Sequence, residues 1–280
     1  MEFYQVNVNG NAIQVADHAG EKGTIIAIHG LTGNHRNLQY YIDRFKGDYR
    51  VVAVDLRGRG NSAALEREPS IFNHAEDIVG LIKELGIENP ILMGYSMGAF
   101  ISAIVGSRLG SVKGVILLDG AAEMSDHQRG IVEPSLGRIS KAYDSQEAYV
   151  SEIQRIYGNL GITWSDEIAK TAAYEVGEKD GHWENKSDEA GIRADFDSFY
   201  TFDPEEIGSK ISCPVLLVYA SGAIGQMPPL FLEEHYDKTK SAIRDLDVIE
   251  TDANHYTLVF EDRPEVNQAI KTFLGKLGSA

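Results

Sequence analysis

Five short apolar runs constrain this chain more than any other feature. They read GTIIAIHG (23–30), RVVAVDLRGRG (50–60), NPILMGYSMG (89–98), VKGVILLDG (112–120) and CPVLLVYASG (213–222). Runs this short, rich in Val, Ile and Leu, predict strands buried on both faces of a parallel sheet. Helical patterns separate them. NHAEDIVGLIKELGI (73–87) places Ile78, Leu81, Ile82 and Leu85 on one face, with Gly86 as a stop. MGAFISAIVGSRLG (97–110) carries the small residues that let a helix lie close to a sheet. A last helix is expected over 263–277, with Pro264 in its first turn. FYQVNVNGNAIQVA (3–16) alternates by two around Asn9-Gly10 and predicts a hairpin, and a weaker strand is expected at 243–249. Strands alternating with helices define an α/β sheet.

The alternation stops between about 121 and 210. Helical stretches occur there, at 145–160 and 166–178, among many aromatics. A segment that long is not one loop. It reads as a mostly helical cap (121–210) over the carboxyl edge of a core formed by 1–120 and 211–280. With 280 residues and 43% hydrophobic content, the chain can bury such a core.

The formal net charge of -16 argues against nucleic acid or an anionic membrane as partner, since both reward clustered Lys and Arg. It also mildly disfavours a strongly anionic substrate, unless a local basic group overrules it. The single cysteine, Cys213, permits no internal disulfide. No apolar run approaches membrane-spanning length, and MEFYQVNVNGN does not read as a secretory signal, so a cytoplasmic protein is expected. Homo-oligomerisation is left open.

Gly94-Tyr95-Ser96-Met97-Gly98 is G-x-S-x-G between an apolar strand and a small-residue helix. That context puts the serine on a sharp turn, as a nucleophile, and offers the Met97 amide to a developing oxyanion. His29-Gly30-Leu31 ends the first buried strand and can bring a second amide, that of Leu31. A serine nucleophile needs a base. His255, the last histidine, lies in a polar loop before the terminal helix. His29, His74, His127, His182 and His235 fit that role poorly.

With these pieces in place the chain resembles the α/β-hydrolase superfamily, in its capped esterase, lactonase and C–C hydrolase branch. The matching motifs are HG (29–30), DLRGRGNS (55–62), GYSMG (94–98), the strands VILLDG and PVLLVYAS, and His255. The resemblance implies a mostly parallel sheet flanked by helices, with a helical cap inserted after the sixth strand. It also implies that Asp55, Arg57, Gly58 and Gly60 form a structural turn near the oxyanion loop.

One position departs from the family pattern. The usual acid, an aspartate in a turn after PVLLVYAS, is replaced by Ala223. Either the triad is degraded, or another strand end supplies the carboxylate. Asp119, at the end of VILLDG, is the first candidate, Glu123 the second, and Asp252 is not excluded. Gly30, Tyr95, Trp164, Trp183, Phe199 and Met227 are candidates for a substrate pocket, with Phe196, Tyr200 and Phe231 close behind. Asp126 and His127 are adjacent but do not form a ligand set, and GRG (58–60) lacks dinucleotide spacing, so neither metal nor cofactor is expected. The leading expectation is a hydrolase of a small or medium carboxylic ester, lactone or amide. C–C hydrolysis or lyase chemistry on the same triad, and a pseudo-hydrolase that only binds a small ligand, are the alternatives.

Overall fold

A computed structural model describes residues 1–65 and 69–278. The elements run β1 (Glu2–Val8), β2 (Asn11–His18), β3 (Thr24–Ile28), α1 (Gln39–Phe45), β4 (Arg50–Val54), α2 (Ile71–Glu84), β5 (Ile91–Tyr95), α3 (Met97–Arg108) and β6 (Gly114–Leu118). The cap follows, with α4 (Asp126–Leu136), α5 (Gln146–Asn159), α6 (Asp166–Glu175), β7 (Val176–Lys179), β8 (His182–Asn185) and α7 (Glu189–Ser198). The chain then returns through α8 (Pro204–Lys210), β9 (Val215–Ala220), α9 (Asp237–Ala242), β10 (Leu246–Thr251), α10 (Thr257–Phe260) and α11 (Pro264–Gly278).

Eight strands form one sheet in the order β1-β2-β4-β3-β5-β6-β9-β10. β1 and β2 are the antiparallel hairpin, β2 meets β4 antiparallel, and every other pairing is parallel. Period-two alternation divides the core in two. Ile26, Ile28, Val52, Val54, Leu92, Val115 and Leu117 face α2 and α3. Ile25, Ala27, Val51, Ala53, Met93, Ile116 and Leu118 face α1 and α11. The strands are apolar on both sides because both sides are covered.

The chain leaves β3 toward β4 on one side, then crosses back to β5 and continues outward through β6, β9 and β10. Ile28 pairs with Gly94, and Tyr95 with Leu118, so the loops after β3, β5 and β6 leave the sheet side by side. Ligands in open α/β sheets bind at the carboxyl ends of strands where the winding reverses. Here that point lies between β3 and β5.

The cap helices start on capping residues: Ser145, Ser165 and Asp188 accept the amides of Ala148, Ile168 and Gly191. β7 and β8 form a hairpin over the Asp180-Gly181 turn, both residues at positive φ, so the expected helix over 166–178 ends at Glu175. The cap is fastened to the core by buried polar contacts. Asp195 of α7 receives Arg59 Nη1 at 2.6 Å and His74 Nε2 at 3.1 Å. Tyr174 of α6 donates its hydroxyl to Asp55 Oδ2 at 2.6 Å. Apolar packing adds to this: Phe199 stacks on Phe100 of α3, with ring centroids 4.8 Å apart. Among the described residues no helix is long and apolar enough to cross a membrane.

Candidate active site

Ser96 occupies the turn between β5 and α3 at φ 52 and ψ -116. A non-glycine residue held there costs about 1–3 kcal/mol, so the surroundings must impose it. They do so sterically. A Cβ at Gly94 would stand 1.9 Å from the Gly98 carbonyl oxygen, and one at Gly98 would stand 2.1 Å from the Ile28 oxygen. Only glycines allow β5, α3 and β3 to approach this closely. The Ser96 amide is spent on the Leu118 carbonyl at 2.9 Å. Met97 is the first residue of α3, where an amide has no partner within the helix.

His255 sits in the loop between β10 and α10, and its Nδ1 lies 2.6 Å from Asp119 Oδ2. Asp119 is fully buried at the end of β6. Its other oxygen, Oδ1, accepts the Ala220 amide at 3.0 Å and the Tyr236 hydroxyl at 2.9 Å. Two donors on Oδ1 keep the carboxylate from turning and leave Oδ2 to receive the Nδ1 proton. Nε2 is then the basic nitrogen. The Tyr95 hydroxyl donates to the His255 carbonyl at 2.9 Å, and the two rings lie 4.9 Å apart.

The other candidate acids lie elsewhere. Glu123 forms an ion pair with Lys238, both side chains about half exposed. The Asp252 side chain is 95% exposed and stands 3.8 Å from Arg263. The Ala223 carbonyl accepts the Asn254 side-chain amide at 3.3 Å, so this loop braces the histidine loop without supplying a carboxylate.

Gly30 brings the loop after β3 against the serine: a Cβ there would meet Tyr95 Cε1 at 3.0 Å and Ser96 Cβ at 3.4 Å. His29 holds this loop. Its Nδ1 donates to the Gly30 carbonyl at 2.7 Å, while its Nε2 accepts the Leu56 amide at 3.0 Å. Complete burial pushes its pKa down to about 3, so the ring is a neutral peg. The Leu31 carbonyl receives Arg59 Nε at 3.1 Å and Nη2 at 3.0 Å, which anchors the Leu31–Thr32 peptide next to the one that carries the Leu31 amide. Asp55 accepts His35 twice, Asn61 and Tyr174, so it organises the turn between core and cap.

Ser96, His255, Gly30 and Leu31 line one cavity of about 100 Å³ beneath the cap. Tyr95, Phe196, Phe199 and Phe231 also line it. Trp164, Trp183 and Met227 stand outside this wall. Trp164 packs edge-on against Tyr157, Trp183 pairs with the Tyr143 backbone, and Met227 pairs with Ile224. Tyr200 donates its hydroxyl to the Ser125 carbonyl. His127 Nε2 donates to the Pro229 carbonyl at 2.8 Å. Gln128, Arg138, Tyr157, Glu175 and Tyr256, none of them a candidate from sequence, also belong to the wall. Arg138 follows the end of α4, and no local sequence signal marks it.

The fold and this cavity define a capped α/β hydrolase. The alpha/beta hydrolase family model matches residues 25–269, and the chain belongs to that family. A 2-(acetamidomethylene)succinate hydrolase from Mesorhizobium japonicum is 26% identical over 144 residues, 50% of this chain and 52% of that protein. The match therefore spans about half of that relative's length. An AB hydrolase superfamily protein, YisY of Bacillus subtilis, is 32% identical over 40% of this chain and 46% of its own length. The crystal structure of E-2-(acetamidomethylene)succinate hydrolase superposes with a TM-score of 0.85 at 22% identity, covering 98% of this chain and 99% of that one. The chain is therefore a member of the α/β-hydrolase family with a cap inserted after its sixth strand.

Proposed function

We propose that the protein is a serine hydrolase that cleaves a carboxylic ester, lactone or amide of a small, partly apolar molecule through an acyl-enzyme. The observation that carries this reading is the Asp119–His255 contact of 2.6 Å, with His255 lining the same cavity as the strained Ser96. Ser96 Oγ attacks the substrate carbonyl carbon, and His255 Nε2 takes the hydroxyl proton. The Leu31 and Met97 amides receive the tetrahedral oxygen. As the intermediate collapses, His255 returns the proton to the leaving group. Water, deprotonated by His255, then releases the acid and restores Ser96. Asp119 holds His255 with Nδ1 protonated.

Residues 1–120 and 211–280 act as the catalytic core and 121–210 as the lid in this account. The cytoplasm is its location, supported by the one buried thiol, Cys213, whose pKa burial pushes up to about 11. C–C cleavage on the same residues is the second reading, and it needs the same serine. A panel of short esters, lactones, amides and C–C substrates, run on wild type and Ser96→Ala, tests the proposal. Turnover of an ester, lactone or amide that vanishes in Ser96→Ala is expected. Turnover confined to the C–C substrates transfers the reading to the second class, and ester turnover unchanged in Ser96→Ala overturns both.

A further inference from the structure

Among the described residues, the cap contributes one cation to the wall of the catalytic cavity, Arg138. Its Nη1 is buried and has no hydrogen-bond partner. Tyr149, Tyr157, Glu175 and Tyr256 are its electrostatic neighbours, which brings the charge close to the residue that follows His255. Much of the remaining wall is apolar, including Val132, Leu136, Ile156 and Leu160. A guanidinium is charged at any pH a protein tolerates, and its donors are costly to bury unpaired. Such a group in a binding cavity calls for an occupant that pairs with it.

We propose that Arg138 receives a carboxylate carried by the substrate, so that the molecule cleaved at Ser96 is an acid as well as an ester or amide. The cleavage half of this statement rests on the serine-hydrolase reading, whereas the anion-binding half stands without it. The planar guanidinium fork offers a carboxylate two parallel N–H donors. Among the described residues Glu175 is the carboxylic acid in the wall, and it is the weaker candidate for a ligand contact. It already accepts the Tyr149 hydroxyl. Burial raises its pKa, opposed by the Arg138 charge and that hydrogen bond, and so biases it toward the neutral form. Arg138 is the obligate charge, and its buried Nη1 is the donor left without a hydrogen-bond partner. It is also the local basic group that a chain of net charge -16 needs to hold an anion.

Two esters alike except at the far end test the proposal: monomethyl succinate, which carries a carboxylate, and methyl levulinate, which carries a neutral acetyl group. Wild type is expected to favour the first in kcat/KM by about 30-fold, as suits charge-assisted hydrogen bonds. Arg138→Met abolishes that preference, and Arg193→Met, on the outer face of α7, keeps it. Titration calorimetry of succinate into Ser96→Ala, with and without Arg138→Met, reads the same contact without chemistry, and about 30-fold weaker binding without the arginine is expected. If neither ester is cleaved while succinate binding depends on Arg138, the hydrolase reading fails and this one stands. Equal wild-type rates on the two esters, or no Arg138-dependent succinate binding, overturn it. A preference for methyl 4-aminobutyrate that is lost in Glu175→Gln also overturns it, in favour of a cation site.

Discussion

Replacing Asp119 with asparagine changes almost no volume, yet the surroundings dictate how the new amide must sit. Oδ1 of Asp119 faces two donors, the Ala220 amide at 3.0 Å and the Tyr236 hydroxyl at 2.9 Å. The carbonyl oxygen of the substituted side chain has to take that side. Its NH2 group is then turned toward His255 Nδ1, at the place where Oδ2 now lies 2.6 Å away. Nδ1 must become an acceptor, so the ring proton moves to Nε2, and His255 can no longer accept the Ser96 proton. A wrong tautomer with intact geometry lowers kcat by about 10⁴-fold, or about 5 kcal/mol of transition-state stabilisation. KM should change little, because Asp119 is fully buried behind the histidine. The assay is steady-state hydrolysis of the best ester found, with a thermal melt to show that the variant is folded. Tyr236→Phe removes one of the two Oδ1 donors and should cost about tenfold or less. Asp119→Asn retaining more than about a tenth of wild-type kcat would refute the tautomer argument.

Other perturbations have distinct signatures. Glu123→Gln should leave kcat within about twofold of wild type, since it breaks only a half-exposed ion pair with Lys238; a large loss would make Glu123 the acid. Gly30→Ala should lower kcat by about 10²-fold with little change in melting temperature, because its Cβ, 3.0 Å from Tyr95, displaces the loop that carries the Leu31 amide. Asp195→Asn should cost about 3–5 kcal/mol in a denaturant titration, because it leaves the fully buried Arg59 without its counter-charge. Burial alone would raise the pKa of Asp195, but the charges of Arg59 and His74 and their hydrogen bonds hold it below that of a free aspartate. Asp55 is held low in the same way, with His35 and Tyr174 outweighing burial. Folded values below the unfolded value mean that both contributions are complete above roughly pH 4 and are lost as pH falls through the folded pKa. Thermal stability should therefore fall steeply below about pH 4, and Asp195→Asn should flatten that slope; an unchanged acid slope in the variant would contradict the assignment.

Most of the fold follows from features a linear reading can detect. β3, β4, β5, β6 and β9 are apolar on both faces because helices cover both, and that leaves unbroken Val, Ile and Leu runs in the sequence. Gly94 and Gly98 are legible because the contacts that require them are backbone contacts, set by spacing alone. The nearness of Asp119 and Ser96 follows from parallel pairing, which brings Tyr95 beside Leu118 at one sheet edge. The cap is different. Asp180-Gly181 marks its hairpin, but β7 and β8 are four residues each, and most of β7 falls inside the helix expected over 166–178. Trp164 and Trp183 attract attention as large aromatics, yet they pack within the cap and stand outside the wall of the cavity. Arg138 and Glu175 become neighbours only when α4 and α6 fold over the same space. Their meeting depends on tertiary packing that no local pattern encodes.

The central claim is that Ser96 is a nucleophile made competent by His255. A fluorophosphonate probe followed by peptide mass spectrometry tests it most directly. In wild type one modified peptide is predicted, carrying the label on Ser96. No label is predicted in Ser96→Ala, and labelling slowed by orders of magnitude in His255→Ala. A label on another residue, or an active protein whose Ser96 stays unmodified, would contradict it.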